Sequence, residues 1–181
     1  MDRSTAWGWL ARVLKRERFL GNSTDIVRLA APDLGSLESI IVVGLGLPES
    51  LHCGIAYRAA ASAIRLLAER ERSHVVFGIA ESLNQEQTRA AVAGAVSGVA
   101  GQDIYRSASK LTSPEAITWI GVEPATLQAG EAIGQAIAIT KRLVNEPPNK
   151  IYPESFADQA ARPRSRLRFR GRNLGQGQTA S

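Results

Sequence analysis

Ser39-Ile40-Ile41-Val42-Val43-Gly44-Leu45-Gly46 is a β-branched run closed by glycines. A continuous apolar run of this kind reads as a central strand of a parallel sheet, buried on both faces. Two later runs have the same character, His74-Val75-Val76-Phe77-Gly78-Ile79-Ala80 and Ala116-Ile117-Thr118-Trp119-Ile120-Gly121-Val122. Asp25-Ile26-Val27-Arg28-Leu29 is a shorter fourth, between turns at Gly21-Asn22 and Pro32-Asp33-Leu34-Gly35. Helical patterns separate the strands. Ile55, Ala59, Ala63 and Leu66, spaced 4, 4 and 3, predict a helix from about Leu51 to Glu69. Asn84 can cap a helix from about Gln85 to Gly101, in which Gly94 and Gly98 permit close packing. A long helix runs from Pro124-Ala125-Thr126 to Asn145. At the start, Ser4 or Thr5 can cap a helix to about Lys15, with Leu10, Val13 and Leu14 on one face and Trp7 and Trp9 suited to packing against a sheet. Strands alternating with helices give an α/β fold, a three-layer arrangement with helices on both faces of a largely parallel sheet.

The long helix ends in Leu143-Val144-Asn145-Glu146-Pro147-Pro148-Asn149-Lys150-Ile151-Tyr152-Pro153-Glu154. Its apolar residues Ile133, Ile137 and Val144, with Thr140, are spaced 4, 3 and 4. Pro147 and Pro148 stop it, because neither has an N–H and each pushes its predecessor out of the α region. Asn145 and Asn149 flank the break with amides that bond nearby backbone. Pro153 suits the first position of a new helix. The segment therefore reads as a stiff corner between two helices.

That corner resembles the hinge of the leucyl (cytosol) aminopeptidase family, on the strength of Asn145, Pro147, Asn149 and Pro153 with Lys141-Arg142-Leu143 before and Tyr152-Pro153-Glu154-Ser155-Phe156-Ala157 after. The order of elements from about Phe19 to Ala161 is similar to that family's N-terminal domain. The resemblance implies a macro-domain-like α/β domain over 1–146, a hinge and the start of a truncated catalytic domain over 147–161, and a role for the four hinge residues that is structural. It also implies a family activity, the removal of N-terminal amino acids from peptides. Two divalent metals, zinc or manganese, serve that activity in the C-terminal domain, and the full-length family forms homo-oligomers.

The chemistry of that reaction has no counterpart here. The family's signature N-T-D-A-E-G-R does not occur in the sequence, and neither does Gly-x-Ser-x-Gly. No catalytic residue and no metal ligand is carried over, and no cofactor is expected in this chain. His52, Cys53 and His74 make a poor zinc set, since adjacent helical positions diverge by about 100°. Cys53 is expected to be buried. Gly44-Leu45-Gly46 lacks the third glycine of a dinucleotide loop, with Glu49 in its place and Pro48 offering no N–H. A free-standing macro-like binding module is the other reading, and its pocket would lie near Gly44–Pro48.

The net charge of +5 is unevenly spread. Residues 162–181 hold six arginines and no acid, leaving 16 basic and 17 acidic residues in 1–161. The folded part is near neutral, which disfavours nucleic acid as its partner. The basic cluster Arg12, Lys15, Arg16 and Arg18 fits a solvated helix face. The tail alternates arginine with other residues and then turns to Gly, Gln, Ser, Thr and Ala, a composition expected to be disordered. An out-of-frame end is favoured over a basic arm for nucleic acid. One cysteine excludes an internal disulfide and suits a cytoplasmic setting. No run is long enough for a membrane helix, and the start lacks a signal peptide's pattern.

Overall fold

The computed structural model describes residues 3–23, 25–30, 37–100, 111–146, 152–156 and 171–174. The chain mixes helices and strands, an α/β fold. Two compact units result, Met1–Leu51 and His52–Ser181, and the break falls inside the span 1–146 read from sequence as one domain.

In the first unit, α1 (Arg3–Arg16) precedes an antiparallel pair, β1 (Ile26–Ala30) and β2 (Ser39–Val43). Ser4 and Thr5 therefore lie within the helix and not at its cap. Trp9, Leu10, Val13 and Leu14 are half-buried. The expectation of β2 as a central strand buried on both faces fails here, because all five of its residues are half-exposed and its described partner is β1. The connection from Ala30 to Ser39 is shorter than the dozen or so residues a parallel crossover needs, so the pair is antiparallel. The turn at Pro32–Gly35 lies outside the described residues.

In the second unit, α2 (Cys53–Leu67), β3 (His74–Phe77), α3 (Gln85–Ser97), β4 (Ala116–Ile120) and α4 (Pro124–Asn145) alternate as the sequence predicts. β3 and β4 are parallel, with Phe77 opposite Trp119. Val75, Phe77, Ile117 and Trp119 are buried, and the rings of Phe77 and Trp119 stack at 4.5 Å between centroids. The opposite face is partly open, with Val76 and Ile120 exposed and a hydrogen bond of 2.8 Å between His74 Nε2 and Thr118 Oγ1. β5 (Gly171–Leu174) adds to β4 in parallel. The expectation of a disordered tail over 162–181 does not hold at these four residues, because a strand edge binds through backbone groups that any non-proline residue supplies. The rest of the tail lies outside the described residues.

The helices stack in the order α2, α3, α4, and glycine makes the stack possible. A methyl group at Gly94 would run into the backbone of Tyr57, and one at Gly98 would lie 2.9 Å from the Ala61 carbonyl oxygen. On the other side of α3, methyls at Gly130 and Gly134 would lie 2.6 Å from the Cβ atoms of Val92 and Val96. The close packing expected of Gly94 and Gly98 is thus present, and a second glycine pair on α4 repeats it. That second pair decides which face of α4 is buried. Leu127, Gly130, Gly134 and Ala138 face inward, while Ile133 and Val144 are 44% and 76% exposed. The Ile133–Ile137–Val144 stripe is offset from the glycine line by one residue, about 100° around the helix.

Gly94→Ala is expected to destabilise the protein by about 2 kcal/mol, since overpacking outweighs the gain of about 1 kcal/mol in helix propensity. A methyl group added at Gly8, in α1, would meet nothing within 4 Å, so Gly8→Ala tests propensity alone. It is expected to be neutral or stabilising by about 0.5 kcal/mol. Urea unfolding of both variants checks the contrast.

Candidate functional site

Two places carry polar groups that could serve a function: the C-terminal end of α4 with its supports, and a cleft at the C-terminal ends of β3 and β4.

α4 is 22 residues long and ends at Asn145. Glu146 leaves the helix with extended dihedrals, φ −73 and ψ 136, as the residue before a proline must. Pro153 opens a helical turn over 153–156, closed by the Phe156 N–H on the Tyr152 carbonyl at 2.9 Å. The Tyr152 N–H donates to Ser155 Oγ at 2.9 Å, so the turn is capped. Of the four hinge residues read from sequence, Asn145 therefore ends one helix and Pro153 starts the next. Pro147 and Asn149 lie outside the described residues.

One turn before Asn145, Lys141 reaches back across the stack. Its Nζ donates to the Ser97 carbonyl at 3.1 Å and to the Tyr57 hydroxyl at 3.3 Å. Ser97 Oγ donates to the Ala93 carbonyl at 2.8 Å, so its 2.6 Å contact with Tyr57 is one in which the tyrosine O–H donates. A directed chain results, from ammonium to phenol to serine to helix carbonyl. At 3.3 Å from the hydroxyl and 5.9 Å from the ring centroid, the ammonium sits at the ring's edge and not over its face. From α2, Arg65 Nε donates to the Gly98 carbonyl at 3.4 Å. Two cations thus serve the carbonyl end of α3, where the helix dipole favours them.

The cleft, of about 370 Å³, lies among Ala80, Leu83, Gln85, Thr88, Gly121, Val122, Glu123 and Thr126. These residues follow β3 and β4 and open α3 and α4, the usual place for a ligand crevice in a parallel sheet. Asn84 and Gln87 form a reciprocal capping box at 2.9 Å in both directions. Gln85 Nε2 donates to Thr126 Oγ1 at 3.1 Å, tying the two helix starts together. Near Gly44–Pro48, the other place where a pocket was expected, the glycine amides make backbone hydrogen bonds. The Gly44 N–H donates to the Asp25 carbonyl and the Gly46 N–H to the Gly21 carbonyl, at 2.8 and 2.9 Å, so the amides a phosphate would need are already used. Gly46, at φ +75, serves the turn.

Cys53 is exposed, against the expectation of burial, because it opens α2 on the solvent side. Its neighbour His52 caps that helix, accepting from the Gly54 N–H through Nδ1 at 3.1 Å. Among the described residues no group of three or more His, Cys, Asp or Glu could hold a metal ion. Among them, too, no helix is long and apolar enough to cross a membrane.

Residues 2–109 match the description of the cytosol aminopeptidase family, N-terminal domain. A probable cytosol aminopeptidase of Rhodopirellula baltica is 38% identical over 121 residues, 67% of this chain and 24% of the relative. Leucine aminopeptidase 1 of Arabidopsis thaliana is 27% identical over 165 residues, 86% of this chain and 31% of the relative. Among solved structures, the bottromycin maturation enzyme BotP is similar with a TM-score of 0.67 and 26% identity, covering 81% of this chain and 32% of that one. The same enzyme in complex with Mn gives a TM-score of 0.68 at 24% identity. The chain spans between a quarter and a third of the length of these proteins.

Burial raises the Glu131 carboxyl above its ordinary value of 4.5. The folded state then binds a proton more readily than the unfolded one, so stability falls as pH rises through the window just above 4.5. Glu131→Gln is expected to raise the midpoint of thermal unfolding at neutral pH, with the gain shrinking as pH falls into that window. Thermal scans at two pH values check it.

Proposed function

The chain belongs to the cytosol aminopeptidase family, and from that premise we propose that it is the N-terminal, non-catalytic domain of a leucyl-aminopeptidase-like metallo-exopeptidase. The observation that carries this reading is the match of residues 2–109 to the family's N-terminal domain. In the whole protein, two divalent metals, zinc or manganese, would activate water for release of N-terminal amino acids from peptides. Those ions would sit in the part of the relatives that this chain does not cover. The Mn named with the BotP structure is compatible with that assignment. Asn145, Pro147, Asn149 and Pro153 would form the hinge that aims the second domain. We further propose a cytoplasmic setting and homo-oligomeric assembly for the whole protein, and a three-layer, macro-like arrangement for this domain.

A second reading has one observation in its favour. The cleft at the ends of β3 and β4 is placed where a free-standing α/β binding module holds a ligand. Its lining includes Glu123 and no lysine or arginine, which weighs against a phosphorylated ligand.

Incubated with manganese or zinc and a leucine-amide substrate, the purified chain is expected to release leucine only at background rate. Metal-dependent turnover that scales with protein concentration would show that the chain carries its own active site. Saturable binding of an unphosphorylated nucleoside, with no turnover, would favour the binding module.

A further inference from the structure

Beyond Ala138, α4 buries no residue. In its final turns Ile139 and Leu143 are only half-buried, and a helix end packed so lightly tends to fray. The ion pair Arg142–Glu146, at 3.9 Å with Arg142 71% exposed, adds little. Lys141 adds a polar hold that reaches across the stack. Its ammonium holds both α3, through the Ser97 carbonyl, and α2, through the Tyr57 hydroxyl. Ser97 is fully buried and Tyr57 half-buried, so the receiving groups are fixed by packing. The tether lies four residues before Asn145, about 6 Å along the helix axis.

We propose that Lys141 is a positioning residue: it fixes the direction in which α4 leaves the stack, and so aims the hinge. This rests on the reading of 145–153 as a hinge. Two features make it more than a stabilising contact. The carbonyl it binds belongs to the last residue of α3; it already accepts from the Ala100 N–H at 3.3 Å, its second lone pair takes the ammonium, and the negative end of the dipole favours a cation there. The tyrosine it binds has its own proton committed to Ser97, so the phenol oxygen can only accept. Both acceptors can therefore take a further donor, a lysine side chain is long enough to bring one while burying its stem, and its charge suits the carbonyl end of α3.

Paired spin labels on the full chain, with Cys53→Ser, test this. One label replaces the exposed Arg58 of α2. The second replaces Val144 before the hinge, Phe156 after it, or Glu86 on α3 as a control. Lys141→Met is expected to widen the 58–144 distance distribution about twofold while 58–86 stays unchanged, as local fraying predicts. Lys141→Arg, which keeps a charged N–H donor, is expected to hold the wild-type width. Tyr57→Phe removes one of the two contacts and is expected to widen it less. An unchanged 58–144 width in Lys141→Met overturns the proposal. So does equal widening in Lys141→Arg, or equal widening of 58–86. Should Lys141→Met fail to fold by circular dichroism, Tyr57→Phe decides, and no widening there overturns it. A wild-type chain narrow at 58–144 but broad at 58–156 would refute the stiff hinge and leave the tether standing.

Discussion

The close approach of α2, α3 and α4 is the constraint on which the second unit depends. α3 lies between the other two and meets each through glycine, its own Gly94 and Gly98 towards α2 and Gly130 and Gly134 of α4 on the other side. Helices that near each other gain dispersion contacts along their backbones, but they leave no room for a Cβ at the crossing points. Burial of Ala91, Val92, Ala93, Ala95 and Val96 follows, with almost every residue of that segment out of water.

Burying α3 over most of its length has a cost at its end. A helix that finishes in a packed environment cannot leave its last carbonyls to solvent. Here Arg65 from one neighbour donates to the Gly98 carbonyl, and Lys141 from the other joins the Ala100 N–H on the Ser97 carbonyl. Packing and electrostatics thus meet at one place, and that place is a turn away from where α4 gives way to the proline-rich corner. The chain spans only part of the length of its relatives.

Much of the second unit was legible in the residues. The alternation around Val75–Phe77 and Ile117–Trp119, the cap at Asn84 and the end of α4 at Asn145 all follow from local rules, because period, capping and proline stereochemistry act over a few residues. The helix boundaries at Asn145 and Pro153 were legible for the same reason, from what proline allows at the end and the start of a helix. The cleft was not. Gly44–Gly46 looked the better place for it, yet those amides are taken by Gly21 and Asp25, some twenty residues earlier in the chain. Lys141 was visible as part of a motif, but nothing in its neighbours indicated what it binds.

Sequence by itself determined the alternation of helices and strands through α4, the family and the end of α4 at Asn145, since each is written in short-range patterns. The tertiary structure decided which face of α4 is buried. Ile133, Ile137 and Val144 make the stronger apolar stripe, yet the glycine line wins because it lets two backbones touch, which no isoleucine allows. It likewise decided the partners of Lys141, which come from positions 44 and 84 residues away. Contacts at that separation depend on how helices cross, and helix crossing is set by shape complementarity between surfaces that no local pattern encodes.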